Sequence, residues 1–469
     1  MTAGKVTIKT MNKMKIIADE AIPYLKGIFE NECEVEYYPG SEITPQRVKD
    51  ADALIVRTRT KCNAQLLEGS KVKVIASATI GTDHIDRAWC QSHNIALFNA
   101  PGCNSGGVLQ YFLTALFKCL STRELWQKFL NSAPDAAGAE CSAACTAAAG
   151  EGAATAGAAT AGGAAGAADG AAAGSVAVID GTADGAAAAT AAGDSASESA
   201  LFTVGVIGVG NVGSKVAAAC EGLGFEVLRN DPPKERQQTL AYNSGYLRIV
   251  DFKDYYSLDY LLENSDVVTL HVPLDETTRG MADANFFARM KPGAIFINSS
   301  RGEVVDEAAL LANIHKLAAV VLDVWVGEPN INKELLQSAF IATPHIAGYS
   351  AEGKIKGTQM AVEAIRRYMR DNGLTASTAA SCTHSAGATL AATAPATTAG
   401  AAPAAAGTCT IPEEQPIPVD FRGKNIDEIS QMLERIFPIQ ELSDSLKANP
   451  HTFEEMRNNY NYRHELEIL

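Results

Sequence analysis

The chain has 469 residues, 47% of them hydrophobic, so it is long enough for two or three domains with cores of their own. Its formal net charge of −15 and its pI of about 5.1 argue against non-specific binding to nucleic acid or to an anionic membrane, because both depend on basic surface. Ten cysteines without a C-x-x-C pair favour free thiols in a reducing cytoplasm over a disulfide framework or a zinc site, so we predict no metal.

The start of the chain, MTAGKVTIKTMNKMKII, lacks the apolar core and the small-residue cleavage site of a secretory signal. The longest charge-free piece of an Ala-rich run, residues 152–168, is too short and too weakly apolar to span a bilayer. We therefore expect a cytoplasmic protein whose partner is a small molecule, with neither nucleic acid nor membrane as a partner.

Short β-branched runs, separated by helical patterns, recur along the chain. These runs begin at Lys15, Ala53, Lys73, Thr203, Val267, Ala294 and Ala319. Strands that are apolar on both faces and alternate with helices are typical of a parallel sheet covered on its two sides. The predicted fold class is therefore α/β.

Two segments interrupt this pattern. Residues 133–200 hold eight acidic residues and no Lys or Arg, and residues 375–410 contain no Asp, Glu, Lys or Arg. Both consist mainly of small residues, which bury too little surface to offset the entropy of ordering. We predict that both are flexible, with partial helix as the alternative. Residues 411–469 then return to ordinary composition, and IDEISQMLERIF from Ile426 predicts an amphipathic helix in a small appended module.

A glycine pattern follows the strand that begins at Thr203. In VGVIGVGNVG, Gly208, Gly210 and Gly213 match G-x-G-x-x-G, which allows a tight turn, close approach of a pyrophosphate and packing of helix on strand. The next strand ends at Asp231, 18 residues after Gly213, where a carboxylate would bind the adenosine ribose hydroxyls and repel a 2′-phosphate. The pattern predicts NAD rather than NADP, with an ordinary glycine turn as the alternative.

Three polar residues stand at the ends of otherwise apolar strands further along the chain. They are Arg301 in NSSRGEVVD, Glu328 in DVWVGEP and His345 in TPHIAGYS. Taken singly, each is explained by an ion pair, a loop or packing. Together they supply a cation for a carboxylate, a base for a hydroxyl proton and a carboxylate that orients the base, as hydride transfer from a 2-hydroxy acid requires.

These three motifs resemble those of the D-isomer-specific 2-hydroxyacid dehydrogenase family. The resemblance implies two doubly wound parallel-sheet domains: a substrate domain of residues 14–101 and 345–374, and a Rossmann NAD domain of residues 102–344. It also implies that Arg301, Glu328 and His345 are catalytic. The predicted cofactor-binding residues are Gly208, Gly210, Asn211, Val212, Gly213, Asp231, Val272, Ser299, Ser300, Arg301, Asp323 and Gly348.

Further motifs, among them ATIGTDHID from Ala78 and FEEMRNNYNYRHE from Phe453, resemble a branch of this family that has a C-terminal dimerisation module. The resemblance implies a homodimer formed through a small α+β module of residues 411–469, beyond a flexible linker at 375–410. It implies NAD-dependent oxidation of 4-phospho-D-erythronate to 2-oxo-3-hydroxy-4-phosphobutanoate in pyridoxal 5′-phosphate biosynthesis. The substrate-binding residues so implied are Thr58, Thr79 and Tyr349. A phosphate dianion also needs cations, for which Arg57, Arg59 or Lys61 are candidates, with a solvated surface loop as the alternative.

Two other functions stay open from the sequence. The first is a dehydrogenase for D-3-phosphoglycerate or another D-2-hydroxy acid. The sequence shows no βαββαβ regulatory pattern, which argues against a phosphoglycerate dehydrogenase. The second is a non-catalytic, NAD-sensing scaffold similar to corepressors of this fold. The lack of a basic localisation cluster argues against that second function.

Overall fold

A computed structural model describes residues 13–122, 202–243, 253–374, 411 and 415–469. The predicted flexible segments 133–200 and 375–410 lie outside these described residues. Within the described ranges, no helix is both long enough and apolar enough to cross a membrane.

The first sheet has five parallel strands in the order β2-β1-β3-β4-β5. The strands are β1 (Lys15–Asp19), β2 (Glu34–Tyr38), β3 (Ala53–Val56), β4 (Val74–Ser77) and β5 (Ala96–Phe98). Short helices connect them: a 3₁₀ turn (Gly40–Glu42), α1 (Pro45–Val48), α2 (Ala64–Leu67) and α3 (Arg87–Ser92). The central strands β3 and β4 are buried along their whole length, as expected for a sheet covered on both faces.

The second sheet has six parallel strands in the order β11-β10-β9-β8-β6-β7. They are β6 (Thr203–Ile207), β7 (Glu226–Asn230), β8 (Val267–Leu270), β9 (Ile295–Asn298), β10 (Ala319–Leu322) and β11 (Ile341–Ala342). β6 pairs with β7 on one side and with β8 on the other, so the chain reverses its direction of winding there. Ligands of doubly wound sheets bind in the crevice at such a switch point, beyond the carboxyl ends of the strands.

Helices cover both faces of the second sheet. They are α5 (Gly213–Gly222), α6 (Pro232–Asn243), α7 (Leu258–Asn264), α8 (Ala284–Arg289), a 3₁₀ turn (Gly302–Val304), α9 (Glu307–Asn313), a 3₁₀ turn (Ile314–Lys316) and α10 (Lys333–Ser338). Two apolar clusters lie on opposite faces of this sheet, one containing Val204 and the other containing Ile207. The α/β class with two doubly wound parallel sheets is therefore confirmed.

Two long helices connect the sheets. α4 (Ser105–Ser121) follows the first sheet but packs in the core of the second, through residues such as Tyr111 and Phe112. α11 (Ala351–Asp371) follows the second sheet and packs back on the first, through Val362 and Ile365. The chain therefore passes twice between the sheets. The residue boundaries of the two domains stay a prediction.

The C-terminal residues form a small module of two parallel strands and three helices. These are β12 (Ile417–Val419), α12 (Ile426–Ile436), α13 (Ile439–Ala448), a 3₁₀ turn (Pro450–Thr452), α14 (Phe453–Asn458) and β13 (Leu466–Ile468). The predicted helix α12 begins at a capping box formed by Asn425 and Glu428. Its buried residues Ile429 and Leu433 belong to the same apolar cluster as α4.

Arg463, in this module, is buried although it carries a charge. Its guanidinium donates to the carbonyl oxygens of Ile346, Ala347 and Tyr349 at 3.0, 2.5 and 3.1 Å. It also donates to the carbonyl oxygen of Gly107 at 2.8 Å, in the first turn of α4. One side chain therefore joins the module to α4 and to the loop that precedes α11.

We expect Arg463→Met to lower the free energy of unfolding by about 3 kcal/mol or more, because it leaves buried carbonyl groups without a donor. Urea denaturation measures this change. Arg435→Met is the matched control, since Arg435 is an exposed residue of α12. Equal stability of the two variants would contradict the structural role of Arg463.

Candidate active site

The three glycines of the turn after β6 differ in what surrounds them. Gly208 has φ +86°, and a Cβ atom there would lie 2.8 Å from the carbonyl of His271. A Cβ atom on Gly213 would lie 1.9 Å from the carbonyl oxygen of Gly208. At Gly210 a Cβ atom would meet no atom within 4 Å, so this side of the turn is open. Gly208 and Gly213 are thus required by the fold, whereas Gly210 leaves room for a ligand.

Asp231 lies directly after β7 and beside the glycine turn. Its carboxylate accepts hydrogen bonds from the backbone N–H groups of Val209 at 2.8 Å and Lys234 at 3.0 Å. Each carboxylate oxygen has a second lone pair, so both can still accept a hydrogen bond from a ribose hydroxyl. The position fits the predicted ribose role, which stays a prediction.

Arg301 follows β9 and reaches a loop of the first sheet. Its Nε donates to Asp83 Oδ2 at 3.0 Å, and its Nη1 donates to the carbonyl oxygen of Ser300 at 2.8 Å. A Cβ atom on Gly81 would lie 2.2 Å from Nη2, so the guanidinium rests against the Gly81–Asp83 loop. These contacts use only part of its five N–H donors. The remainder can bind a carboxylate with two parallel hydrogen bonds.

His345 and Glu328 form a hydrogen-bonded pair. Their Nδ1 and Oε2 atoms are 2.8 Å apart, and Glu328 Oε1 accepts from the backbone N–H of Trp325 at 3.0 Å. Burial alone would raise the pKa of Glu328, but the hydrogen bond and charge of His345, with Arg457, lower it. Because Glu328 is ionised, His345 donates from Nδ1, and its Nε2 is left as the proton acceptor.

Asp323, at the end of β10, holds the loop that carries His345. Its Oδ1 accepts from the backbone N–H of Ile346 at 2.8 Å and from the Thr343 hydroxyl at 2.7 Å, and its Oδ2 accepts from the N–H of Ala347 at 2.9 Å. The carboxylate is buried. These contacts make Asp323 a positioning residue for the loop, and its predicted cofactor contact stays a prediction.

Several other predicted cofactor residues surround the same crevice. Ser299 Oγ is buried and has no hydrogen-bond partner among the described residues. Gly348 faces Asn104, whose Oδ1 is likewise buried without a partner in the described part of the chain. Because an unpaired buried polar atom costs free energy, these two atoms are suited to a polar ligand. The residues present therefore fit a dinucleotide cofactor.

Of the remaining predicted cofactor residues, Asn211, Val212 and Val272 lie at the glycine turn, and Ser300 lies just after β9. A Cβ atom on Gly208 would lie 2.8 Å from Cγ1 of Val272, and one on Gly102 would lie 3.1 Å from the amide carbon of Asn211. Val212 packs against the apolar cluster that contains α4. Ser300 donates to Asn298 Oδ1 through its backbone N–H at 3.0 Å and its hydroxyl at 2.8 Å. Ser300 is thus held in place by its own strand end.

The residues predicted to bind substrate come from both sheets. Thr58 is exposed, and the Thr79 hydroxyl lies 2.8 Å from that of Ser77. The hydroxyl of Tyr349 accepts from Arg457 Nε at 3.3 Å.

The candidates for binding phosphate differ in their surroundings. Arg59 is ion-paired with Glu454 and donates to Asn458 Oδ1 at 2.7 Å, so its charge is already compensated. Lys61 is exposed. Arg57 donates to the carbonyl oxygen of Ala21 at 2.5 Å, and its Nε lies 4.0 Å from Asp19 Oδ2.

Arg457 is a residue of the site that the sequence did not indicate. It lies on α14, and its Nη1 is 3.5 Å from Glu328 Oε2. Its neighbours in FEEMRNNYNYRHE resemble a dimerisation segment, and no local pattern in that segment signals contact with a catalytic carboxylate. Arg457 and Glu328 are 129 positions apart, so only the docking of the module brings them together.

Comparisons with known proteins agree with this geometry. Residues 182–347 match the model for the NAD-binding domain of D-isomer-specific 2-hydroxyacid dehydrogenases. An erythronate-4-phosphate dehydrogenase of Bacteroides fragilis is 38% identical over 364 residues, which are 76% of this chain and 80% of the relative. One of Escherichia coli is 34% identical over 362 residues, 76% of this chain and 74% of the relative. A D-lactate dehydrogenase of Aquifex aeolicus, solved with NAD and lactic acid, shares the fold with a TM-score of 0.52 and 22% identity, over 76% of this chain and 96% of its own.

Gly210→Ala tests the open side of the glycine turn. Because a methyl group there meets no protein atom, we expect unchanged stability and a Kd for NADH raised about tenfold or more, since the methyl group enters the ligand's space. Gly222→Ala, in α5, is the control, since a Cβ atom there also meets nothing. Fluorescence titration with NADH measures the affinity. Wild-type affinity in Gly210→Ala would contradict the assignment of this turn.

Proposed function

Because the chain belongs to the D-isomer-specific 2-hydroxyacid dehydrogenases, and within them to the erythronate-4-phosphate dehydrogenase family, we propose that it oxidises 4-phospho-D-erythronate. The product is 2-oxo-3-hydroxy-4-phosphobutanoate, and the reaction serves pyridoxal 5′-phosphate biosynthesis. The observation that carries this proposal is the hydrogen-bonded pair of His345 and Glu328, whose Nδ1 and Oε2 atoms are 2.8 Å apart. Arg301 follows β9, Glu328 follows β10 and His345 follows β11, and these three strands are neighbours in the sheet. All three residues stand at the carboxyl edge of the sheet that carries the glycine turn.

The chemistry divides between two side chains. The guanidinium of Arg301 binds the substrate carboxylate and polarises the oxygen on C2. His345 Nε2 accepts the proton of the 2-hydroxyl group as the carbonyl forms. NAD, when bound, would supply the acceptor for the hydride of C2. The hydrogens on the 2-hydroxyl oxygen and on C2 would then leave as a proton to His345 and a hydride to the cofactor, respectively.

Glu328 supports the base. Its carboxylate keeps His345 in the tautomer with a free Nε2 and stabilises the imidazolium that forms when the proton is transferred. The backbone N–H of Trp325 orients this carboxylate through its other oxygen. In the reverse reaction, the same imidazolium returns the proton to the oxygen on C2.

The cofactor is NAD, and the chain's residues at the crevice account for its selection. The open side of Gly210 leaves room for the pyrophosphate, and the N–H groups at the start of α5 favour its negative charge. The carboxylate of Asp231 would accept from ribose hydroxyls and repel the 2′-phosphate of NADP. Ser299 Oγ offers a further polar contact.

We also propose a cytoplasmic homodimer formed through the C-terminal module. In support, β12 and β13 pair only with each other among the described residues, so each has an outer edge open for pairing. Ile468 and Leu469, at the end of β13, are 37% and 61% exposed. An open strand edge beside exposed apolar residues is suited to a second copy of the chain. The six cysteines that the structure describes are buried free thiols, which agrees with a reducing compartment.

The double substitution Ile468→Asp, Leu469→Asp tests the dimer. We expect it to shift the protein toward the monomer, because two charges enter the apolar contact. Sedimentation velocity measures the molecular mass in solution. Leu240→Asp is the control, because Leu240 is also exposed but lies on α6. A variant that sediments like the wild type would exclude this interface.

The reaction is tested by NAD-linked turnover of 4-phospho-D-erythronate beside D-3-phosphoglycerate and other D-2-hydroxy acids. We expect 4-phospho-D-erythronate to have the highest kcat/KM, and His345→Gln to lower its kcat at least about 100-fold by removing the base, with NADH affinity unchanged. His315→Gln is the control, since His315 is exposed. Turnover of D-3-phosphoglycerate alone would favour the phosphoglycerate dehydrogenase instead. Full biological activity of His345→Gln would favour the scaffold.

A further inference from the structure

Cationic side chains from separate elements meet beside Tyr349, four residues after His345. Lys354, in the first turn of α11, has its Nζ 4.0 Å from the centroid of the Tyr349 ring and 5.1 Å from that of Tyr462. Arg457, on α14, donates from Nε to the Tyr349 hydroxyl at 3.3 Å. Two positive charges therefore lie against one aromatic ring, one over its face and one at its hydroxyl.

A third cation acts on the same place. The positive charges of Arg57, in the loop after β3, and of Arg457 both disfavour the charged form of Lys354. Burial together with these two positive charges lowers the pKa of Lys354 to about 7. Among the described residues, no carboxylate forms an ion pair with Lys354. Lys354 is half-buried, and a cation withdrawn from water without a counter-ion costs free energy, which an anionic ligand would recover.

The position of the cluster relates it to the reaction. Arg457 Nη1 is 3.5 Å from Glu328 Oε2, so the cluster adjoins the carboxylate that orients His345. Arg301, which would bind the substrate carboxylate, lies elsewhere in the crevice, against the Gly81–Asp83 loop. A four-carbon acid with a carboxylate at one end and a phosphate at the other needs separate cationic sites for its two ends.

We propose that Lys354, Arg457 and Arg57 form the subsite for the phosphate group of the substrate. The inference rests on the function proposed above, since it assigns the second anionic group of that substrate. Of the three candidates from the sequence, it retains Arg57. Arg59 is excluded because its Nη2 contacts both Glu454 and Asn458, whereas Arg57 has only a long ion pair, with its Nε 4.0 Å from Asp19 Oδ2. Lys61 is excluded because it is exposed to solvent. The C-terminal module thereby contributes a substrate ligand to the active site of its own chain.

Substrate selectivity gives the first test. We expect Lys354→Met to lower the ratio of kcat/KM for 4-phospho-D-erythronate to that for unphosphorylated D-erythronate about tenfold or more, because one charge-assisted contact to the phosphate is lost. Lys71→Met is the matched control, because the side chain of Lys71 is exposed and forms an ion pair with the exposed Asp50. An unchanged ratio in Lys354→Met, or the loss appearing in Lys61→Met instead, would overturn the proposal. Thermal denaturation and NADH titration verify that each variant is folded.

Sulfate provides a second test that does not depend on the substrate. It stays a dianion between about pH 6 and pH 8, so calorimetric titration of the full chain reports the protein's own groups. The groups that face Lys354 are Arg57, Arg457, the Cys103 thiol and the rings of Tyr349 and Tyr462. Because the pKa of Lys354 is about 7, sulfate should bind the wild type more weakly as the pH rises through 7.

Lys354→Met should bind sulfate about tenfold more weakly at pH 6 and lose most of this pH dependence. Identical sulfate binding in wild type and Lys354→Met would overturn the subsite. If the wild type binds sulfate through Lys354 but does not oxidise 4-phospho-D-erythronate, the proposed function fails while the anion subsite stands. The two experiments therefore separate failure of the inference from failure of the function.

Discussion

The loop of residues 343–349, which carries His345, is held through both its N–H groups and its carbonyl groups, and the proposed catalytic arrangement depends on these contacts. The buried carboxylate of Asp323 accepts from the N–H groups of Ile346 and Ala347, while the buried guanidinium of Arg463 donates to the carbonyls of Ile346, Ala347 and Tyr349. Between them His345 adopts φ +57°, which is uncommon for a residue with a side chain. The surrounding hydrogen bonds stabilise this backbone conformation, and it directs the imidazole toward Glu328.

These hydrogen bonds link the C-terminal module to the loop that carries His345. Arg463 comes from the module, and Arg457 of the same module contacts Glu328 and Tyr349. The module therefore contacts the candidate active site of its own chain, whatever it contributes to association between chains. Since α4 and α11 both connect the two sheets, a module that contacts both also determines how the loop is presented to the crevice.

The positive charges near the crevice contrast with the acidic net charge of the chain. The chain carries a formal charge of −15, yet Arg301, Arg57, Lys354 and Arg457 lie at or near the crevice. A doubly anionic substrate needs such local positive charge, and the acidic remainder of the surface disfavours non-specific binding of polyanions. We therefore expect selectivity for the proposed substrate to depend on where these four cations are placed, because the overall charge has the opposite sign.

Much of the fold and of the candidate site can be predicted from the sequence alone. The apolar runs predict the central strands of both sheets, since burial on two faces requires continuous β-branched residues, and the glycine spacing predicts the turn because Gly208 and Gly213 tolerate no Cβ atom. The short or half-exposed strands β2, β5 and β11 leave no such pattern.

The motifs likewise predict Arg301, Glu328 and His345 as the catalytic residues, since each stands after a strand whose position the sheet dictates. Only the tertiary structure brings Arg463, Arg457 and Lys354 to their contacts. Their roles come from contacts with residues distant in the chain, and a local pattern carries no information about which distant groups a side chain will meet.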